Sequence, residues 1–283
     1  MTANVPSRPI VVAVESQQQG AIRYALDEAE KQQCDVRIVH SYAIPATGVG
    51  VLFGNYLPSA SEDAAAEVLG GAREFVESQE TGAKVEYLSL IGAPTRVLED
   101  EALHARAIVL GPDDIAWYDR LLVGEVGSWL ITHADCPVVV VPEHWLSQEA
   151  RRDGVVVTID GATDAHGPLS FAFAAADRRE EALHVLHVVP PGTSENDEEE
   201  HRLNMAEVIA GWADKYPAVR VFRSLVFGEV DDACIDATKL ATLVVVGRPR
   251  RHGLPFSMLR PVAASIIKEA NCPVAVVPSN FDG

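Results

Sequence analysis

The sequence has no apolar run that approaches the roughly 18 residues needed to cross a membrane. Its four cysteines, Cys34, Cys136, Cys234 and Cys272, are far apart, and none of them forms a CxxC pair. This pattern argues against a disulfide framework and favours reduced thiols. We therefore expect a cytoplasmic protein without a membrane segment.

Basic residues are also scarce. The chain has 23 lysines and arginines against 41 acidic residues, which gives a formal net charge of −18. A surface of this charge repels phosphate backbones and anionic lipid headgroups. We therefore expect no binding to nucleic acid or to membrane surfaces.

Motifs that place catalytic groups are missing as well. The sequence has no Gly-Lys-Ser/Thr P-loop, no nucleophile elbow and no Ser-Gly-Gly pyrophosphatase loop. His166, His201 and His252 have no partners at metal-ligand spacing along the chain. We assign no catalytic residue and no metal ligand, and expect a protein that is not an enzyme, with a slow ATPase activity left open.

What the sequence does contain is a repeat. The segment Asp135–Pro142 recurs as Asn271–Pro278, so that Cys272 follows Cys136 by 136 residues. Nearer the start of each copy the offset grows to 147, as between His40 and His187. The first copy thus carries roughly ten extra residues, around Gly48–Pro58, and a period this long indicates domain duplication. We predict domains at residues 1–146 and 147–283.

Each copy alternates short β-branched runs with segments of helical spacing. Ile10–Val14 and Val155–Ile159 begin the copies with apolar runs typical of strands buried on both faces of a parallel sheet. Pro94 is suited to open a helix, because a first-turn position needs no N–H donor. The acidic tract 192–200 is predicted to be a solvated surface loop. Strand–helix alternation predicts an α/β fold with doubly wound parallel sheets.

In such a sheet, ligands bind beyond the carboxyl ends of the strands, and the loop after the fourth strand is informative. The chain resembles the universal stress protein family over almost the whole of both halves. The resemblance is carried by the spacing of this loop, by Gly92-Ala93-Pro94 and by the two Cys-Pro-Val segments at Cys136 and Cys272. The resemblance implies two tandem five-stranded, Rossmann-like domains of the adenine nucleotide alpha hydrolase-like kind. It also implies pseudo-two-fold packing, with Val138–Val141 facing Val274–Val277. A homodimer or another form of self-association is a separate expectation, which the sequence does not determine.

In nucleotide-binding members the loop reads Gly, two residues, Gly, nine residues, Gly, then Ser or Thr, and glycines there let backbone N–H groups approach phosphate. The first copy departs from this pattern, because Asp114 and Glu125 stand where Gly and Ser or Thr are expected. A bridging Mg²⁺ would offset the repulsion between these carboxylates and the phosphates of ATP. The resemblance implies the following binding residues in this copy: Ala13, Glu15 (holding the ribose), His40, Gly111, Gly124, Val126 and Ser128.

The second copy keeps the ribose acid Asp160 and the first loop glycine, Gly247, but has Arg250 and Arg260 where later loop residues are expected. Arginines hold phosphate by charge and bidentate hydrogen bonds. The alternative is that they balance acids on the neighbouring domain. His40 and His187 end matching strands, where they either contact a base or pack the strand end.

Three functions follow from this pattern. The first is a stress-response regulator that senses or binds ATP or a related adenine nucleotide. The second is a scaffold with decayed sites that acts through a protein partner, and the third is a slow ATPase. We favour the family assignment, and place a retained nucleotide site in the first copy on the geometry of its loop.

Overall fold

The computed structural model describes residues 8–16, 18–42, 60–111, 125–142, 145, 153–159, 165–189, 195–248 and 262–282. The chain divides into two compact units, Met1–Ala134 and Asp135–Gly283. The predicted domain boundary at residue 146 lies outside the described residues and stays a prediction, as does any role for the insertion at Gly48–Pro58.

The first unit contains a parallel sheet in the strand order β3-β2-β1-β4. Its strands are β1 (Ile10–Ala13), β2 (Val36–Tyr42), β3 (Val85–Ile91) and β4 (Ala107–Leu110). Its helices are α1 (Gln19–Gln32), α2 (Ala60–Glu77), α3 (Pro94–Ala102) and α4 (Glu125–His133). Pro94 occupies the first turn of α3, as predicted.

The second unit repeats this order and carries one additional strand. Its strands are β5 (Val138–Val140), β6 (Val155–Ile159), β7 (Leu183–Val189), β8 (Val221–Phe227), β9 (Leu243–Gly247) and β10 (Val274–Val277). Its helices are α5 (His166–Arg179), α6 (Glu195–Lys215), α7 (Val230–Thr238) and α8 (Val262–Glu269). The strand order is β5-β10-β9-β6-β7-β8.

Strand β5 comes from the end of the first sequence repeat, yet it pairs with β10 of the second unit. The pairing is antiparallel and places Val140 opposite Val274 and Val138 opposite Val276. The predicted facing of these two segments is therefore confirmed. The pairing covers an edge of β10 that would otherwise expose unpaired backbone groups.

The core of each unit lies on the central strands. All four residues of β4 and of β10 are buried, and so are the first three residues of β1. Uninterrupted burial is what a parallel sheet covered on both faces requires, and it explains why these strands read as continuous Val and Ile runs. The predicted α/β fold class is confirmed.

One prediction of local structure is wrong. The acidic tract 192–200 is not a loop through Glu200, because α6 begins at Glu195. Acidic side chains in the first turns of a helix are stabilised by its dipole. The tract therefore begins a long helix, and this places His201 on α6.

Candidate functional site

The carboxyl edge of the first unit brings together several of the predicted site residues. Ala13, the last residue of β1, lies opposite Val39 of β2 and Leu110 of β4. The chain runs outward from β1 to β2 and β3 and then returns to β4 on the other side of β1. The switch point of the sheet, where doubly wound folds bind ligands, is therefore between β1 and β4.

At this switch point the turn after β1 touches the residue after β4. The side-chain oxygen Oε1 of Gln18 accepts hydrogen bonds from the backbone N–H groups of Glu15, at 2.9 Å, and Ser16, at 3.0 Å. A Cβ atom added to Gly111 would lie 2.8 Å from Cβ and 2.5 Å from Cγ of Gln18. Gly111 is thus required for close packing against Gln18, a contact that sequence reasoning missed.

His40 and His187 occupy the same place in the two units and make the same hydrogen bond. Nδ1 of His40 lies 2.8 Å from the carbonyl oxygen of Val14, and Nδ1 of His187 lies 2.9 Å from that of Ile159. Because a carbonyl oxygen only accepts, each Nδ1 carries the hydrogen. In the neutral ring, Nε2 is then left as an acceptor.

The second unit adds a partner for this acceptor. Nε2 of His187 lies 3.0 Å from Nδ1 of His201, and the two ring centroids are 4.8 Å apart. His187 is only 1% exposed, whereas His201 on α6 is partly exposed. The two residues are 14 positions apart on a strand and a helix, so their spacing in the sequence carries no recognisable signal.

Of the remaining predicted site residues, the two on α4 are not brought to the carboxyl edge of the first unit by the described contacts, whereas Gly247 lies at the carboxyl edge of the second unit. Val126 lies in the first turn of α4, a helix that packs against α3. Ser128 follows it on α4. Gly247 ends β9 opposite Val277, and a Cβ atom added there would lie 3.4 Å from Cγ of Pro168. Gly124, Asp160, Arg250 and Arg260 lie outside the described residues.

The cysteines are free and buried, away from solvent. Burial raises the pKa of the Cys234 thiol to about 11, against the opposing effect of a hydrogen bond with Thr158. A thiol with a raised pKa is a poor nucleophile at neutral pH. Cys234 is therefore a core residue of α7.

The described residues contain neither a metal cluster nor a membrane-spanning helix. Within the described ranges, no group of three or more His, Cys, Asp or Glu side chains is arranged to hold a metal ion. No helix in the described part of the chain is long and apolar enough to span a membrane.

Both halves of the chain are similar in sequence to one protein family. The model of the universal stress protein family matches residues 6–142 and 152–278. A universal stress protein of Mycolicibacterium smegmatis is 30% identical over 284 residues, which covers 95% of this chain and 96% of the relative. Another, from Mycobacterium tuberculosis, is 26% identical over 295 residues and covers 98% of both chains.

Solved structures agree on the fold. The crystal structure of a universal stress protein from Archaeoglobus fulgidus superposes with a TM-score of 0.69 at 19% identity, over 96% of each chain. A protein of unknown function from Pseudomonas aeruginosa gives a TM-score of 0.63 at 18% identity, over 97% of this chain and 93% of that one. With both halves matched by one family model, the chain belongs to the universal stress protein family as a tandem of two Usp domains.

Proposed function

We propose that this universal stress protein binds an adenine nucleotide, ATP together with Mg²⁺, at the carboxyl edge of its first unit. The observation that carries the proposal is the strand register that brings the end of β1, with Glu15 beyond it, next to the end of β4, with Gly111 beyond it, at the switch point of the sheet. An acid after the first strand and a glycine after the fourth are the groups that a ribose and a phosphate require there. The role proposed is binding in a stress response, without a catalytic step.

Glu15 is the proposed partner of the ribose hydroxyls. It lies two residues beyond the end of β1, and its carboxylate accepts hydrogen bonds from vicinal hydroxyls as the acid of other dinucleotide folds does. Glu is one methylene longer than the Asp usual in the family. The ribose is therefore expected to lie slightly farther from β1 than an Asp would hold it.

His40 is the proposed contact for the base. Its Nδ1–H is held by the carbonyl of Val14, so the neutral ring offers Nε2 as an acceptor. The exocyclic amino group of adenine is a donor and fits this acceptor, whereas the carbonyl of guanine at the same ring position does not. The tautomer of His40 thus supports a preference for adenine.

Mg²⁺ is the proposed counterion of the phosphates. In the sequence, Asp114 and Glu125 replace residues that elsewhere leave the phosphate loop uncharged. Mg²⁺ binds phosphates through one or two carboxylates and several waters. Binding of ATP should therefore depend on Mg²⁺ more strongly than in a glycine-lined loop.

One observation supports a second candidate, a scaffold that binds no nucleotide. Gln18 already satisfies the N–H groups of Glu15 and Ser16 and lies against Gly111. An edge whose donors are paired within the protein offers less to a ligand. In this case the family fold would act through a protein partner instead.

Isothermal titration of the full chain with ATP and Mg²⁺ distinguishes the two candidates. We expect one site per chain, weakened about tenfold or more in Glu15→Ala, since a hydrogen bond to a charged group contributes about 1.5–3 kcal/mol. The matched control is Asp160→Ala in the second copy, which should retain binding. Gln18→Ala should strengthen binding, because it frees two N–H groups. Absence of binding by ATP, ADP and AMP would leave the scaffold as the better account.

A further inference from the structure

We propose that His187 and His201 of the second unit together bind one divalent cation of the zinc class. The pair joins β7 to α6 at the carboxyl edge of the sheet. This site is independent of the nucleotide proposal, which concerns the first unit.

The distance between the two rings fits a shared ion. Nε2 of His187 and Nδ1 of His201 are 3.0 Å apart. Two nitrogens that each lie about 2.0–2.1 Å from a tetrahedral zinc are about 3.3 Å apart. Conversion of the hydrogen bond into a chelate therefore requires a separation of a few tenths of an ångström and a rotation of the His201 ring, so that both lone pairs converge on the ion.

The ring of His187 is oriented as a metal ligand is. Its Nδ1–H donates to the carbonyl oxygen of Ile159 at 2.9 Å, and the side chain is 1% exposed. Metal-binding histidines usually donate their second ring N–H to a carbonyl or carboxylate, which fixes the tautomer and the plane of the ring. Nε2 of His187 is thus held as an acceptor that faces His201.

His201 can change its tautomer to complete the site. As long as Nε2 of His187 accepts, Nδ1 of His201 donates, and its proton must leave before a metal binds there. Since the ring is partly exposed, that proton can return from solvent to Nε2 of the same ring. Both imidazoles then stay neutral, and no net proton is released.

The surroundings favour a cation of intermediate softness. Imidazole suits zinc, nickel and copper, whereas magnesium and calcium require oxygen ligands. Glu198 precedes His201 by three residues on α6, so the two lie on the same side of the helix. Glu198 adds negative charge on this side of α6, and water would complete the coordination shell around the two imidazoles. The net charge of −18 also attracts cations.

The first unit supplies a control within the same chain. His40 makes the same hydrogen bond to Val14 that His187 makes to Ile159. Helix α2, which follows β2 in the chain, contains no histidine. The first copy therefore offers one histidine, His40, at the place where the second copy offers two, His187 and His201.

Titration of the full chain with Zn²⁺ tests the site. We expect one equivalent to bind with micromolar affinity, and His201→Phe, which retains a ring of similar size, to weaken this binding at least tenfold. Glu198→Gln should weaken it less. The controls His40→Ala and His104→Ala, the latter at an exposed histidine, should bind as the unmodified protein does.

A second readout separates ligation from a merely structural role of the pair. Co²⁺ in place of Zn²⁺ should give visible ligand-field absorption that is lost in His201→Phe and kept in His40→Ala. Circular dichroism of each variant shows whether it is folded. Absence of a stoichiometric Zn²⁺ site in the unmodified protein, or its retention in folded His201→Phe, would overturn the proposal and leave the pair as a hydrogen bond between strand and helix.

Discussion

The two copies repeat the same order of strands and helices but carry different side chains at equivalent places. Helices α1 and α5 both end on a left-handed residue, Gln33 and Glu180, and the strand-end histidines make identical hydrogen bonds. Beside them the copies diverge, with Gln18 packed on Gly111 in one and His201 bonded to His187 in the other. The carboxyl edge of the sheet thus keeps the same backbone frame in both copies, while the side chains beside it differ.

The largest expected effect concerns the start of α5. A Cβ atom added to Gly167 would lie 1.9 Å from the carbonyl oxygen of Pro278, and the Gly167 N–H donates to Ser279. Gly167→Ala must displace this backbone, and we expect a loss of about 3 kcal/mol in the free energy of unfolding. Denaturant unfolding measures it.

The control for this variant lies in α6 of the same unit. A Cβ atom at Gly211 would meet nothing within 4 Å. Gly211→Ala should stabilise the unit by up to about 1 kcal/mol, because alanine has the higher helix propensity. Equal effects of the two variants would show that the close approach at Gly167 is absent.

The second prediction uses a titratable group that one copy lacks. Cys234 on α7 is fully buried, with a pKa raised by burial to about 11, and its counterpart on α3 is Leu98. Burial disfavours the thiolate in the folded state. The contribution of the neutral thiol to the free energy of unfolding is therefore complete below pH 9 and is lost as the pH rises through about 11. The rise of the pKa from 9.0 to about 11 corresponds to about 2–3 kcal/mol in the free energy of unfolding.

Unfolding of the unmodified protein and of Cys234→Ala between pH 8 and pH 11.5 checks this pH dependence. The stability difference between the two proteins should shrink with increasing pH. A difference that stays constant over this range would mean that Cys234 does not titrate differently in the folded and unfolded states.

The third prediction compares the glycines that follow the fourth strand of each copy. Gly111→Ala brings a methyl group to 2.8 Å from Cβ of Gln18, whereas Gly247→Ala brings one to 3.4 Å from Pro168. We expect losses of about 1.5 kcal/mol and less than about 0.5 kcal/mol in the free energy of unfolding. Thermal unfolding measures both. Adding Gln18→Gly should restore much of the stability of Gly111→Ala, and failure to do so would place the strain elsewhere.

The smallest expected effect concerns equivalent positions on β2 and β7. Arg37 bonds Glu86 at 2.8 Å and Glu101 at 2.9 Å, while His184 in the second copy stacks on Phe222 with ring centroids 5.0 Å apart. Arg37→Ala should cost about 0.5–1 kcal/mol at low salt and less in 1 M NaCl, because salt screens the pair with the exposed Glu86 carboxylate more than the partly buried pair with Glu101. The loss of stability in Phe222→Ala should be the same at low salt and in 1 M NaCl. A loss that falls with salt in Phe222→Ala, or one that does not fall in Arg37→Ala, would show that the two positions are not stabilised by stacking and by charge, respectively.

Much of the fold could be predicted from the sequence, because buried parallel strands need uninterrupted Val and Ile runs. The pairing of Val138–Val140 with Val274–Val276 is what the family resemblance implies for the two Cys-Pro-Val segments, and the structure confirms it. The start of α6 could not be predicted, since an acidic tract is compatible with both a loop and a helix N-terminus.

The candidate site was predicted only in part. Family resemblance selected Ala13, Glu15, His40 and Gly111, and the strand register brings them to one edge. Gln18 and the His187–His201 pair depend on contacts between elements that are set by packing. Gln18 precedes a helix at a position where Ser, Thr or Asp would have signalled a cap, so its residue type drew no attention.

Hydrogen exchange of the full chain with and without ATP and Mg²⁺ tests the central proposal most directly, because it shows which copy is ordered by the ligand. We predict slower exchange in peptides that cover residues 10–16, 36–42 and 107–111 of the first unit, and no change in residues 155–159 and 183–189 of the second. Protection confined to the second unit, or no protection at saturating ATP, would contradict a nucleotide site built on Glu15, His40 and Gly111.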